Sequence, residues 1–278
     1  MEEEALLKGG TPESVQEFER LVVASPNSSF IWIRYIGYFI TLAEVGKARE
    51  IARRALKVIS FREEKEKLNV WVAYLNIENM YGTDESLHKV LSESVQFCEP
   101  FEIHRRLARI FVDTRKNDKA IKQFTLLCKK FKTHPKVWVD FASFLFDIAK
   151  GDETRELMDK ALKAVPRTEH VLLISQFAQM EFKKGSPERG RTIFDSVVAN
   201  YPKRVDVWSV YIDMEVKHGD KRAVRRVMDR ATDLNLSTKK MKFLFTKYLD
   251  YEKEHGTEAS ATAVKEKARD YIKRKAAS

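Results

Sequence analysis

Histidine, cysteine and paired carboxylates are the residues through which this 278-residue chain could do chemistry, and their spacing argues against it. The six histidines (His88, His104, His134, His170, His218 and His255) form no H-E-x-x-H pair on one helix face, so no zinc-hydrolase site is encoded. Cys98 and Cys128 lie far apart, and neither has a C-x-x-C partner. There is no glycine-rich phosphate loop of either common pattern. Glu63-Glu64 sits among lysines, where a solvated ion-pair face explains it better than general acid–base work. The chain is therefore read as non-enzymatic, with no cofactor and no metal.

Basic residues offer the other chemistry, which is binding. The formal charge is +10, with a mean hydropathy of −0.42. Eleven bases against four acids fall within residues 101–140. Three groups stand out: Arg49, Arg53 and Lys57; Lys129, Lys130 and Lys132; and Arg222, Arg225, Arg226 and Arg230. At helical spacing such stripes line up along a phosphate backbone or an acidic partner. The same stripes equally serve as solvated helix faces. In the last group, Val224, Val227, Met228 and Ala231 require the core side, so all four arginines are expected to face solvent. With no aromatic interleaved, stacking on unpaired bases is not expected.

The elements that carry these stripes emerge from the tryptophans. Trp32, Trp71, Trp138 and Trp208 are each followed three residues later by an aromatic, namely Tyr35, Tyr74, Phe141 and Tyr211. That spacing places both rings on one helix face. Weaker anchors at His104/Leu107, Ile174/Phe177 and Phe245/Tyr248 complete a series of seven, 33 to 39 residues apart. Gly46, Gly82, Gly151, Gly185, Gly219 and Gly256, with Asn117, follow the anchors as turn residues, and glycine there predicts a left-handed helix end. A second helix with small or apolar positions comes next: Ala48, Ile51, Ala52 and Ala55; Leu87, Val90, Leu91 and Ser94; Val224, Val227, Met228 and Ala231. Ser186-Pro187 reads as a cap with proline at the first helical position. Thr11-Pro12 reads the same way before a helix with no partner.

One helix pair cannot bury its own apolar stripe, so the pairs must stack. The fold expected is all-α: a right-handed superhelical solenoid of antiparallel helix pairs. Residues 1–10 form a flexible acidic N-terminus, and 11–275 a single solenoid of one half-repeat plus about seven pairs. The rings of the anchors fill the core. Nothing approaches the ~18 apolar residues of a membrane span. The acidic start lacks the apolar region of a signal peptide. Two thiols suit a reducing compartment.

This pattern of aromatic-x-x-aromatic followed by a small-residue helix resembles the half-a-tetratricopeptide (HAT) repeats of RNA-processing proteins. Longer strings are more specific: Ser25-Pro26-Asn27-Ser28-Ser29-Phe30-Ile31-Trp32, Ile59-Ser60-Phe61-Arg62-Glu63-Glu64 with Asn69-Val70-Trp71-Val72-Ala73-Tyr74, and Tyr201-Pro202-Lys203-Arg204-Val205-Asp206-Val207-Trp208. They are similar to the C-terminal HAT region of the large ribosomal-RNA-processing family known in animals as programmed cell death protein 11. The similarity spans roughly residues 11–275. It implies a nuclear, nucleolar scaffold acting in the small-subunit processome, in precursor cleavage toward small-subunit RNA. It further implies protein partners of that particle and contact with precursor ribosomal RNA or small nucleolar RNA. HAT arrays also self-associate in other RNA-processing proteins, so a homodimer is a further expectation. The family's pattern has no catalytic residues to carry over.

Overall fold

The computed structural model describes Pro12 and residues 14–276. The described residues contain helices and turns but no strand. The chain divides into two compact units, Met1–Lys132 and Thr133–Ser278. The first holds α1 (Val15–Ala24), α2 (Ser29–Thr41), α3 (Val45–Val58), α4 (Glu64–Tyr81), α5 (Asp84–Phe97), α6 (Pro100–Asp113) and α7 (Asn117–Lys130). The second holds α8 (Pro135–Asp147), α9 (Thr154–Ala164), α10 (His170–Lys184), α11 (Pro187–Asn200), α12 (Val205–His218), α13 (Lys221–Thr232), α14 (Thr238–His255) and α15 (Glu258–Ala276).

Within each unit the helices pack as consecutive pairs, and the first helices of successive pairs also pack on one another. The fold is all-α and built from helix pairs. The anchors sit where the apolar stripes meet: Trp32, Tyr35, Trp71, Tyr74, Trp138, Phe141, Trp208, Tyr211 and Tyr248 are all buried. Ala48, Ala52 and Ala55 are fully buried on α3, where a small side chain lets the backbones approach. The acidic segment 1–10 and the cap expected at Thr11 fall outside the described residues. Helix α1 begins at Val15, and its cap is Ser14, whose hydroxyl accepts from the Glu17 amide. Ser186 caps α11 with Pro187 at its first turn.

The turns correct the expectation of left-handed glycines. Positive φ occurs at Ala43 (58°), Arg115 (56°) and Ala149 (59°). In each, the next amide reaches back to a carbonyl five residues earlier, as Glu44 N–H does to Phe39 O at 2.9 Å. Gly46 lies inside α3, Asn117 opens α7, and Gly151 begins a short 3-10 turn. Gly82, Gly185, Gly219 and Gly256 have negative φ. Close approach explains those four. A Cβ at Gly82 would stand 2.8 Å from Glu78 O and collide with the Glu78 carboxylate; Gly219 repeats this against Glu215.

His104 takes the place of an anchor tryptophan. It is buried, with the Gln123 amide 3.0 Å from both its Nδ1 and its carbonyl oxygen. Burial, with Lys130 nearby, pushes the imidazole down to about 4 from its usual 6.5. A base with a depressed folded pKa binds its proton more readily unfolded. Its neutral form thus stabilises the fold above 6.5, and this is lost as pH falls toward 4. The loss is on the order of 2–3 kcal/mol. Denaturant melts between pH 7 and pH 4 are expected to show a steeper decline for the native chain than for His104→Phe.

Candidate functional site

Several bases of the stripes hold partners on neighbouring helices. Arg49 on α3 grips Glu78 on α4 through two hydrogen bonds of 2.7 and 3.1 Å. Arg225 on α13 grips Glu252 on α14 at 2.7 and 2.9 Å. Arg53 donates to the Tyr74 hydroxyl at 3.0 Å. Arg230 pairs with Asp195 at 2.6 Å and lies over the Trp208 ring. Lys130 stands 3.4 Å from His104 Nε2. Lys57, Lys129, Lys132, Arg222 and Arg226 are exposed. Of the four α13 arginines, Arg222, Arg226 and Arg230 are exposed and Arg225 is half-buried, but Arg225 and Arg230 each hold a carboxylate of another pair. Arg225 and Arg230 lie on opposite flanks of the helix and reach carboxylates on the following and preceding pairs.

Sequence reasoning missed the buried carboxylates that receive these arginines. Glu78, Glu181, Glu215 and Glu252 are all buried, each four residues before one of the close-approach glycines. Arg191 on α11 holds Glu215 as Arg49 holds Glu78, at 2.8 and 3.0 Å. On the other side, Ser86 Oγ donates to Glu78 and Ser260 Oγ to Glu252, both at 2.6 Å, while the Ser186 amide donates to Glu181 at 3.1 Å. Glu78, Glu181 and Glu252 therefore join their own helix to the start of the next, and Glu78, Glu215 and Glu252 hold an arginine of the preceding pair. Burial pushes the Glu78 carboxyl up, but the bonds from the Arg49 guanidinium and the Ser86 hydroxyl together draw it below its usual range. For Glu252, the bond from Arg225 is the leading cause of the same lowering. The recurrence of Glu-x-x-x-Gly at the end of these first helices is the signal available in the sequence.

A second motif bridges successive second helices across the helix between them. Tyr35 of α2 donates to Glu19 of α1 at 2.9 Å, and Arg54 of α3 grips the same carboxylate at 2.6 and 2.8 Å. One constant shift carries residues 19, 35 and 54 onto 195, 211 and 230, where Tyr211 donates to Asp195 at 3.1 Å and Arg230 pairs with it. Phe18 stacks on Tyr35, and Phe194 on Tyr211, with centroids 4.9 and 4.8 Å apart. Burial, reinforced by the acceptor Glu19, pushes the Tyr35 phenol up to about 12. At the α13–α14–α15 step, Lys267 reaches Asp229 at 3.1 Å and Asp233 at 2.9 Å across Tyr248. The Tyr271 hydroxyl is tied to Leu236 O at 2.6 Å.

The α3–α4–α5 step has the reverse chemistry. Arg53 and Lys57 stand where α13 has Asp229 and Asp233. Glu93 stands in place of Lys267, and Phe97 in place of Tyr271. Among the described residues, no ion pair joins Glu93 to Arg53 or Lys57. Phe97 lacks the hydroxyl that ties Tyr271 down; it stacks on Trp71 at 6.1 Å and stays 67% exposed. Two adjoining clefts of 540 and 360 Å³ remain, sharing Arg53, Tyr74 and Glu93. An aromatic therefore does stand beside a basic stripe, contrary to the sequence reading, because Phe97 arrives from the following pair.

Other reactive groups are placed as packing. Both cysteines are free and half-buried, and burial pushes the Cys128 thiol up to about 12. Among the described residues, no cluster of three His, Cys, Asp or Glu side chains is placed to hold a metal. No helix of the described residues is long and apolar enough to cross a membrane.

Comparison with known proteins agrees with this geometry. The family described as the PRP39 N-terminal HAT repeat matches residues 170–271. The chain is 47% identical over 99% of its length to the mouse protein called "Protein RRP5 homolog", and 47% identical over 98% to the human one. It is 45% identical over 94% of its length to the fission yeast "rRNA biogenesis protein rrp5". The chain spans only 15% of the length of each of these relatives.

Proposed function

Because this chain belongs to the RRP5 family of ribosomal-RNA biogenesis proteins, matching its HAT region, we propose that it is a non-catalytic docking scaffold within a nucleolar pre-ribosomal particle. The particle is the small-subunit processome, and the work served is precursor cleavage toward small-subunit RNA. One observation carries the emphasis on protein docking. Of the basic residues that a phosphate backbone would need, Arg49, Arg53, Arg225 and Arg230 already hold partners within the chain. The three stripes are divided among α3, the end of α7 and α13, and on α3 and α13 only part of each stripe is without a partner carboxylate or hydroxyl from a neighbouring helix. Grooves between second helices, walled by two helices and floored by a third, suit segments of neighbouring proteins.

Crosslinking of the chain inside purified pre-ribosomal particles tests this, read out for both peptides and RNA. Crosslinks are expected to fall mainly on particle proteins. Arg222→Gln with Arg226→Gln is expected to leave stability within about 0.5 kcal/mol, since both are exposed. Particle entry should also be retained. If crosslinks run instead to RNA at α13, and the double variant flattens the salt dependence of RNA affinity by about 0.9 for each phosphate it ceases to neutralise, RNA binding replaces protein docking as the function.

A further inference from the structure

We propose that the open groove between α3 and α5, floored by α4, is the docking site for an acidic protein segment carrying an aromatic or aliphatic anchor. The proposal rests on the scaffold reading and names the chemistry of one partner. In three other steps the corresponding groove is bridged by the chain's own ion pairs: Arg54 on Glu19, Arg230 on Asp195, and Lys267 on Asp229 and Asp233. The groove at α3 has the bases and lacks the carboxylates to meet them. With Glu78 neutralised by Arg49 and Arg53 turned to the Tyr74 hydroxyl, the walls present Lys57, Lys67 and Lys89 against the single carboxylate of Glu93. Carboxylates supplied from outside would complete the pairing that the chain completes for itself elsewhere.

The apolar part of the lining selects the rest of the guest. Leu56, Trp71 and Phe97 line the same cleft as Lys57 and Lys67. Phe97 offers an open ring face above Trp71, so an apolar side chain of the guest gains contact area there while its flanking carboxylates reach Lys57 and Lys67. A segment of protein fits better than a nucleic-acid strand. Glu93 stands among the bases, where evenly spaced phosphates cannot avoid it, whereas a peptide can place an amide N–H or an uncharged residue opposite it.

The test uses the full chain and a fluorescein-labelled peptide of glutamates interrupted by one phenylalanine–leucine pair. The same peptide with glutamine for glutamate, and single-stranded oligouridine, serve as comparisons. The acidic peptide is expected to shift the Trp71 indole resonance in NMR spectra. Its affinity should fall about ten-fold or more in Lys57→Glu and in Phe97→Ser, while Arg222→Gln leaves it unchanged. Both altered groove residues are exposed, so both variants should keep the native circular-dichroism melt. Unaltered affinity in the two groove variants overturns the proposal, and so does oligouridine shifting Trp71 at lower concentration than the peptide. Entry into pre-ribosomal particles is followed in parallel. A groove variant that loses the peptide yet enters particles normally overturns this groove as a docking site and leaves the scaffold standing. A native chain that fails to enter particles removes the scaffold reading, whatever the peptide does.

Discussion

Trp208→Ala is expected to destabilise the second unit by about 3–5 kcal/mol, the cost of a large cavity in a core that cannot collapse around it. Trp208 is 3% exposed and belongs to a cluster that includes Val198, Tyr211, Val227 and Met228. Its indole N–H donates to Pro202 O at 3.1 Å, and Arg230 covers its face. Truncation therefore removes packing from three helices and leaves the Pro202 carbonyl without its donor. Because stacked pairs are held by their neighbours, the loss should concentrate in α11 to α13. Hydrogen exchange on the variant is expected to show amides of these helices opening first. A denaturation midpoint equal to that of the native chain would mean that the ring contributes nothing to the stack.

Arg49→Met should cost about 3 kcal/mol or more, although it changes a residue that reads in the sequence as a surface base. The reason is what it leaves behind. Glu78 is 3% exposed, and without the guanidinium its charge stays buried with only Ser86 to meet it. Adding Glu78→Leu should recover much of the loss, since an apolar pair of similar volume has no charge to desolvate. The pH dependence gives an independent check. In the native chain the lowered Glu78 pKa contributes stability above 4.5, and that contribution is lost as pH falls through the folded value. In Arg49→Met this contribution is absent. The two proteins should therefore converge in stability as the solution is made acid, and differ most near neutrality. Parallel urea titrations at pH 7 and pH 4 measure this. A constant difference across that range would show that Arg49 stabilises by packing alone.

The helix pairs are legible in the sequence because the information is local. Trp208 and Tyr211 are three residues apart, and Val224, Val227 and Met228 repeat at helical spacing, so their shared face follows from helix geometry without reference to any neighbour. The turns mislead for a related reason. Glycine after a helix signals a left-handed end, but Gly82 and Gly219 serve a carboxylate that folds back over them, and only the buried position of Glu78 and Glu215 reveals it. The basic stripes are legible as polar faces and no further. Spacing along α13 says that Arg222, Arg225, Arg226 and Arg230 avoid the core, yet it cannot say that Glu252 and Asp195, from the pairs on either side, stand opposite two of them. Charge pairing across a stack depends on which residues of different pairs come level. The packing of the cores sets that register. Tertiary structure alone therefore decided which bases are engaged, and that ion pairs bridge the step beside Tyr271 while, among the described residues, none bridges the groove beside Phe97.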